Sequence, residues 1–209
     1  NFERDNFVTQ LEKVLEFSPR KADLTKWKQF TKKRRSSTDP VTIAIVGKYF
    51  DTGNYVLSDA YISVIEAIRH ATYAVNRKPV LTWINSVDYE ENPEKIKELG
   101  GYSALIVPGG FGTRGIEGII GAIKYAREND LPYLGLCYGM QLATIEFSRN
   151  VLGYKDANTV ECNPKSKNLI ININLTQAEN IKQQRYGGTM RLGAYDCVLK
   201  QGSLSRALY

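Results

Sequence analysis

Between residues 41 and 151, short apolar runs alternate with helical patterns, and few architectures accommodate that order. "VTIAIVG" (41–47) is β-branched, continuous and closed by glycine, which predicts a strand buried on both faces. It is followed by "SDAYISVIEAIRHATYAV" (58–75), where Ile62, Ile65, Ile68 and Ala71 fall on one helical face. "VLTWIN" (80–85), "SALIVPGG" (103–110) and "PYLGLC" (132–137) read as further strands. A short helix near 93–99, then "IEGIIGAIKYAREN" (116–129) and "YGMQLATIEFSRNV" (138–151), read as helices. Four such alternations imply an α/β fold with an open, doubly wound, mostly parallel sheet.

The flanks are different. Phe7, Leu11, Val14 and Leu15 follow helical spacing, as do Leu24, Trp27 and Phe30 after the N-cap candidate Asp23. A break at Ser18-Pro19 separates these two helices, and "RRSSTDP" (34–40) reads as a linker. The helices carry apolar faces without a core of their own, so they must dock on something. The expected organisation is a helical linker over 1–40 and one domain over 41–209. Beyond Gly153 the pattern is less regular. "NLIININL" (168–175) and "DCVLK" (196–200) read as strands around the glycine-rich "RYGGTMRLGA" (185–194).

Composition narrows the function classes. Of 209 residues 43% are hydrophobic, enough for a sizeable core, and no apolar run nears the ~18 residues of a membrane span. Asn1 opens the chain without a charged-then-apolar leader, so a piece of a longer cytoplasmic protein is expected. Three cysteines, Cys137, Cys162 and Cys197, form neither a disulfide framework nor a zinc motif, so a reducing compartment and no metal are expected. The net charge of +6 mildly favours acidic partners such as nucleotides. Much of it lies in "KKRR" (32–35), which reads as a solvated, flexible segment. Neither membrane nor nucleic-acid binding is expected.

The chemistry concentrates at Gly135-Leu136-Cys137-Tyr138-Gly139, where a predicted strand stops and a predicted helix begins. That junction lies at the carboxyl edge of the sheet, where ligands bind in such folds. Gly-x-Cys-x-Gly has the form of a nucleophile elbow, whose sharp turn lifts the sulfur clear of the sheet. The helix N-terminus beyond it favours a thiolate and offers N–H groups to a developing oxyanion. The five residues alone fit equally a small buried cysteine at a tight junction. "PGGFGTRG" (108–115) ends the preceding strand, beside the elbow, and Gly109, Gly110 and Gly112 would let its backbone approach the same pocket.

"PGGFGTRGIEG" followed by "PYLGLCYGMQLA" resembles the class I, triad-type glutamine amidotransferases. "VTIAIVGKY", "LSDAYISVIEAIRHA", "SRNVLGYKDANTVE" and "GGTMRLGA" narrow the resemblance to the glutaminase half of the CTP synthase family. It covers nearly all of 41–209, and the N-terminal helices resemble the linker to the synthetase half. The resemblance implies a flavodoxin-like sheet and a glutaminase that supplies ammonia for ATP-dependent amination of UTP to CTP. It makes Cys137 the nucleophile and gives oxyanion N–H groups to Gly110 and Tyr138. Gly110, Tyr138, Gly139, Met140 and Gln141 would line the glutamine site, and Glu161 would hold the α-ammonium. Phe111 and Arg191 would contact GTP, the family's activator. No cofactor is implied here, Mg-ATP belongs with the synthetase domain, and the full enzyme would be a homotetramer.

The family also sets a His and a Glu downstream of the nucleophile. Here the one histidine, His70, lies upstream in a predicted helix and matches "EAIRHA" instead, as a partly exposed helix residue. The missing pair and the ATP-binding half are therefore expected outside these 209 residues. "VGKYFDTGNYVLSDAY" carries extra residues between Tyr49 and Leu57, and "DANTVEC" replaces the more familiar "DANSTEF" around Glu161. Two other readings stay open: an intracellular-protease-like cysteine hydrolase on the same superfold, and a non-catalytic, nucleotide-binding or regulatory module.

Overall fold

The computed structural model describes residues 6–16, 23–48, 61–184 and 196–208. Four strands form one parallel sheet: β1 (Pro40–Gly47), β2 (Lys78–Asn85), β3 (Ala104–Val107) and β4 (Tyr133–Gly135), in the order β2-β1-β3-β4. β1 lies inside the sheet and pairs with β2 along its whole length and with β3 from Ile43 to Ile45. Two-sided burial is why its side chains run apolar without alternation, and Ala44, Ile45 and Val46 are fully buried. Ile43, Ile45, Ile68 and Ile106 form a core cluster, against which Tyr61, Leu81, Trp83 and Leu136 pack. Each such buried isoleucine contributes roughly 1.5–3 kcal/mol relative to exposure. The order reverses direction between β1 and β3, and that switch point is where doubly wound sheets open a crevice at their carboxyl edge.

The crossover helices are α3 (Ile62–Ala74) and α5 (Ile116–Glu128), with α6 (Tyr138–Asn150) leaving β4. The chain divides into two compact units, Asn1–Ala143 and Thr144–Tyr209, with the division inside α6. In the first unit, α1 (Phe7–Leu15) and α2 (Thr25–Ser36) precede the sheet. The predicted cap is displaced: the N-cap of α2 is Leu24, with no side-chain cap bond, and Asp23 lies one residue before it. Asp23 accepts from the Thr25 N–H at 2.9 Å, and bonds from the Thr25 side chain and N–H hold its carboxyl below the ordinary aspartate value. α2 docks on α3, where Phe30 lies 4.4 Å from the His70 ring and Lys33 donates to the Ala74 carbonyl. α1 buries no residue and leaves Val14 and Leu15 exposed.

Several expectations need correction. "KKRR" is solvated but helical, because α2 continues through it to Ser36. The linker shrinks to Ser37, Thr38 and Asp39 before β1 begins. The segment after β2 holds an unforeseen helix, α4 (Ser86–Glu91), started by the Asn85 side chain accepting from the Val87 N–H. The predicted helix near 93–99 is a 3₁₀ segment, Pro93–Gly101. A side chain at Gly118 would sit 2.0 Å from the Ser86 carbonyl oxygen, so α4 and α5 approach through that glycine.

In the second unit only Leu169–Ile171 of the predicted strand 168–175 pairs, as β6, with the two-residue β5 (Asn158–Thr159). α7 (Leu175–Lys182) follows it. The predicted strand 196–200 is absent: those residues are irregular and mostly exposed, then lead to α8 (Leu204–Leu208). Of these five residues only Val198 strongly favours a strand, Asp196 and Lys200 disfavour one, and among the described residues no partner strand pairs with them. The break at Ser18-Pro19 and the whole of the loop 185–194 lie outside the described residues.

Candidate active site

The turn from β4 into α6 has the geometry of an elbow. Cys137 takes φ 54°, the left-handed region, which costs a non-glycine residue on the order of 1 kcal/mol. Its carbonyl accepts the first helical bond, from Gln141 N–H at 3.1 Å, while its side chain is exposed. A small cysteine buried for packing is therefore not what this junction holds.

Both flanking glycines are required by close packing. A side chain at Gly135 would meet the backbone of Gly139 at 2.6 Å and of Met140 at 2.7 Å. One at Gly139 would stand 2.2 Å from the Val107 carbonyl oxygen, since the first turn of α6 lies on the end of β3. The Tyr133 hydroxyl sits beneath this turn and donates to the Gly139 carbonyl at 2.8 Å. Burial pushes its ionisation well above the ordinary tyrosine value, so it stays a donor.

The loop "PGGFG" lies beside the elbow, as expected. A first side-chain carbon on Gly109 would be 3.7 Å from Cys137 Cβ. Three side chains grip the loop by its carbonyls: Tyr61 Oη donates to Gly109 O at 2.8 Å, and Lys48 Nζ to Phe111 O at 2.9 Å and Gly112 O at 2.5 Å. Tyr138 Oη donates to Gly112 O at 2.7 Å, and the Lys48 ammonium also lies 4.9 Å from the Tyr138 ring centroid. Lys48 and Tyr138 are both buried. Loop and nucleophile thus form one bonded assembly at the carboxyl ends of β1, β3 and β4.

The expected site residues divide in two. Gly110, Cys137, Tyr138, Gly139, Met140 and Gln141 lie in the first unit, on the loop or the elbow. Met140 is exposed and Gln141 half-buried. Glu161 belongs to the second unit and is exposed just beyond β5, where its N–H donates to the Thr159 hydroxyl. Its loop is tied by Asp156, which accepts from the Asn168 side chain and from the Lys167 N–H at 3.0 Å. Phe111 is 72% exposed at the tip of the glycine loop. Arg191 lies outside the described residues. His70 is exposed on α3 against Phe30, which accounts for it structurally. Among the described residues no cluster of potential ligands could hold a metal ion, and no helix is long and apolar enough to cross a membrane.

Fold and elbow together define a class of protein. The chain belongs to the class I glutamine amidotransferase family, whose description, glutamine amidotransferase class-I, matches residues 56–207. Among its curated relatives are CTP synthases. It is 43% identical over 207 residues to the CTP synthase of Sulfolobus acidocaldarius, covering 99% of this chain and 38% of that protein. Against the CTP synthase of Lactobacillus helveticus it is 46% identical over 204 residues, 95% of this chain and 36% of the relative. The chain thus spans well under half the length of these relatives. Among solved structures it resembles the glutaminase domain of Trypanosoma brucei CTPS with bound acivicin: TM-score 0.58, 39% identity, covering 64% of this chain and 50% of that one.

Lys48 and Tyr61 were not singled out from the sequence. A signal existed: Lys48 directly follows the glycine that ends β1, and Tyr61 immediately precedes α3. Both places are at the carboxyl edge, where a polar side chain has a reason to be buried.

Proposed function

We propose that this chain is the glutaminase portion of a CTP synthase, hydrolysing L-glutamine through a Cys137 thioester. The observation that carries this reading is the strained, exposed Cys137 at the start of α6 beside the Gly109–Gly112 loop. The thiolate adds to the amide carbon of glutamine, and the carbonyl π pair moves onto oxygen. N–H groups of Gly110 and Tyr138 receive that oxyanion, a task typically worth 10²–10³ in rate per donor. Collapse expels the protonated nitrogen as ammonia and leaves a thioester, which water cleaves to glutamate and free thiol. Gly139, Met140 and Gln141 would line the side-chain slot, and Glu161 would pair with the α-ammonium. No histidine follows Cys137 in these 209 residues, so the base that takes the thiol proton is not assigned to this chain.

In the whole protein the ammonia would aminate UTP activated by Mg-ATP, in a synthetase domain joined through the helices of residues 1–40. GTP would activate the glutaminase from the side of Phe111 and Arg191. A homotetramer in a reducing cytoplasm completes this reading. Acivicin, bound to the glutaminase domain of the Trypanosoma brucei relative, is the probe. Time-dependent labelling of Cys137, slowed by glutamine and sparing Cys162 and Cys197, is expected by mass spectrometry. Labelling that glutamine does not slow would favour a non-catalytic module or a different hydrolase.

A further inference from the structure

Building on the glutaminase reading, we propose that Tyr61 is a positioning residue that orients the Gly110 N–H for the oxyanion. The Gly109 carbonyl and the Gly110 N–H belong to one peptide group, which is planar and, like every described peptide bond, trans. In a trans peptide the two point in opposite directions, so whatever fixes the carbonyl fixes the N–H. Tyr61 Oη donates to that carbonyl at 2.8 Å. Its ring is held in turn, because Tyr61 packs against the core cluster of Ile43, Ile45, Ile68 and Ile106.

The need for such a device follows from the loop's composition. Gly109 and Gly110 have no side chains to restrict their torsions, so the peptide between them rotates more freely than any other nearby. The remaining grips act further along, on the carbonyls of Phe111 and Gly112, and leave the Gly109–Gly110 peptide to Tyr61. Without the hydroxyl this peptide can turn over, presenting a carbonyl where the oxyanion needs a donor. An oxyanion donor works only if already aimed when charge develops. The side of Gly109 that would carry a side chain faces Cys137, which places this peptide beside the reacting sulfur.

Tyr61→Phe tests the idea while keeping the ring and its packing; a thermal melt checks the fold. The probe is a glutamine analogue with a chloromethyl group in place of the amide nitrogen, so its ketone oxygen takes the amide oxygen's position. The thiolate forms a C–S bond and chloride leaves with the C–Cl electron pair, aided by whatever holds the ketone oxygen. Iodoacetamide serves as reference, since its displacement of iodide needs no oxyanion donor. We expect Tyr61→Phe to lower kinact on Cys137 roughly tenfold, less than the 10²–10³ lost with a donor itself. KI and the iodoacetamide rate should stay within twofold. An unchanged kinact, or an equal fall in the iodoacetamide rate, overturns the positioning role and leaves the glutaminase reading standing. Chloroacetone labelling wild-type Cys137 as fast as the analogue would instead overturn the glutaminase reading, and this role with it.

Discussion

The space a side chain would need at Gly139 is occupied by the carbonyl oxygen of Val107, 2.2 Å from where the first carbon would stand. The helix that carries Cys137 therefore rests directly on the backbone of β3, the strand that delivers the glycine loop. Gly139→Ala should force the two apart, destabilising the protein by about 3 kcal/mol. A thermal melt checks the loss. A melting temperature within a degree or two of wild type would show that the elbow and β3 are not in such tight contact.

Lys48 is nearly buried, and among its partners are two loop carbonyls and the Tyr138 ring. Hydrogen bonds from a charged donor contribute roughly 1.5–3 kcal/mol each when broken singly. Lys48→Met should cost about 2–3 kcal/mol and speed hydrogen exchange at residues 109–113. Lys48→Arg should not restore it, because a planar guanidinium cannot replace a compact ammonium in that space. Unaltered exchange in the loop would mean that Lys48 does not hold it.

Glu161 is exposed beyond β5, and in the proposed reaction it pairs with the α-ammonium of glutamine, remote along the substrate from the amide that reacts. A contact to the α-ammonium binds ground and transition states about equally, so Glu161→Ala should raise KM for glutamine about tenfold and change kcat little. Steady-state ammonia release measures both. An unaltered KM would remove Glu161 from the substrate site.

The loop carrying Glu161 should loosen in acid. Asp156 accepts first from the Asn168 side chain, then from the Lys167 N–H and the Ser166 hydroxyl, and these bonds hold its carboxyl below the ordinary value. A depressed folded value means the contribution is complete above the unfolded value of about 3.9 and fades as pH falls through the folded one. Intrinsic-rate-corrected exchange of the Lys167 amide should be constant from pH 8 to about pH 5 and rise in strong acid. Asp156→Asn should show the faster exchange already at pH 7. If that variant protects Lys167 as wild type does, the carboxylate is not the tie.

How legible each part was depends on the range of the interactions involved. The sheet, its parallel sense and its helices came from local periodicity, because β1 is apolar on both faces and Ile65 and Ile68 repeat at helical spacing. Cys137 and its glycine loop were readable because a sharp strand–helix turn admits few residue types. α4 was missed because six residues started by the Asn85 side chain carry too little pattern. The strand read at 196–200 failed because one strongly β-favouring residue, Val198, without a partner strand among the described residues decides nothing.

By itself, then, the amino-acid order determined the layers of this protein and the position of its nucleophile, since both are written in short-range spacing. Tertiary structure alone decided what holds the nucleophile's surroundings. Lys48 and Tyr61 lie far from Gly109–Gly112 in the chain, and only the pairing of β1 with β3 brings them together. Gly139 has the same cause: it is needed because α6 rests on β3, a contact between segments some thirty residues apart, whereas Gly135 is needed by the local turn of α6 back over β4. Hydrogen bonds to main-chain carbonyls leave no trace in residue type, because every residue offers the same carbonyl.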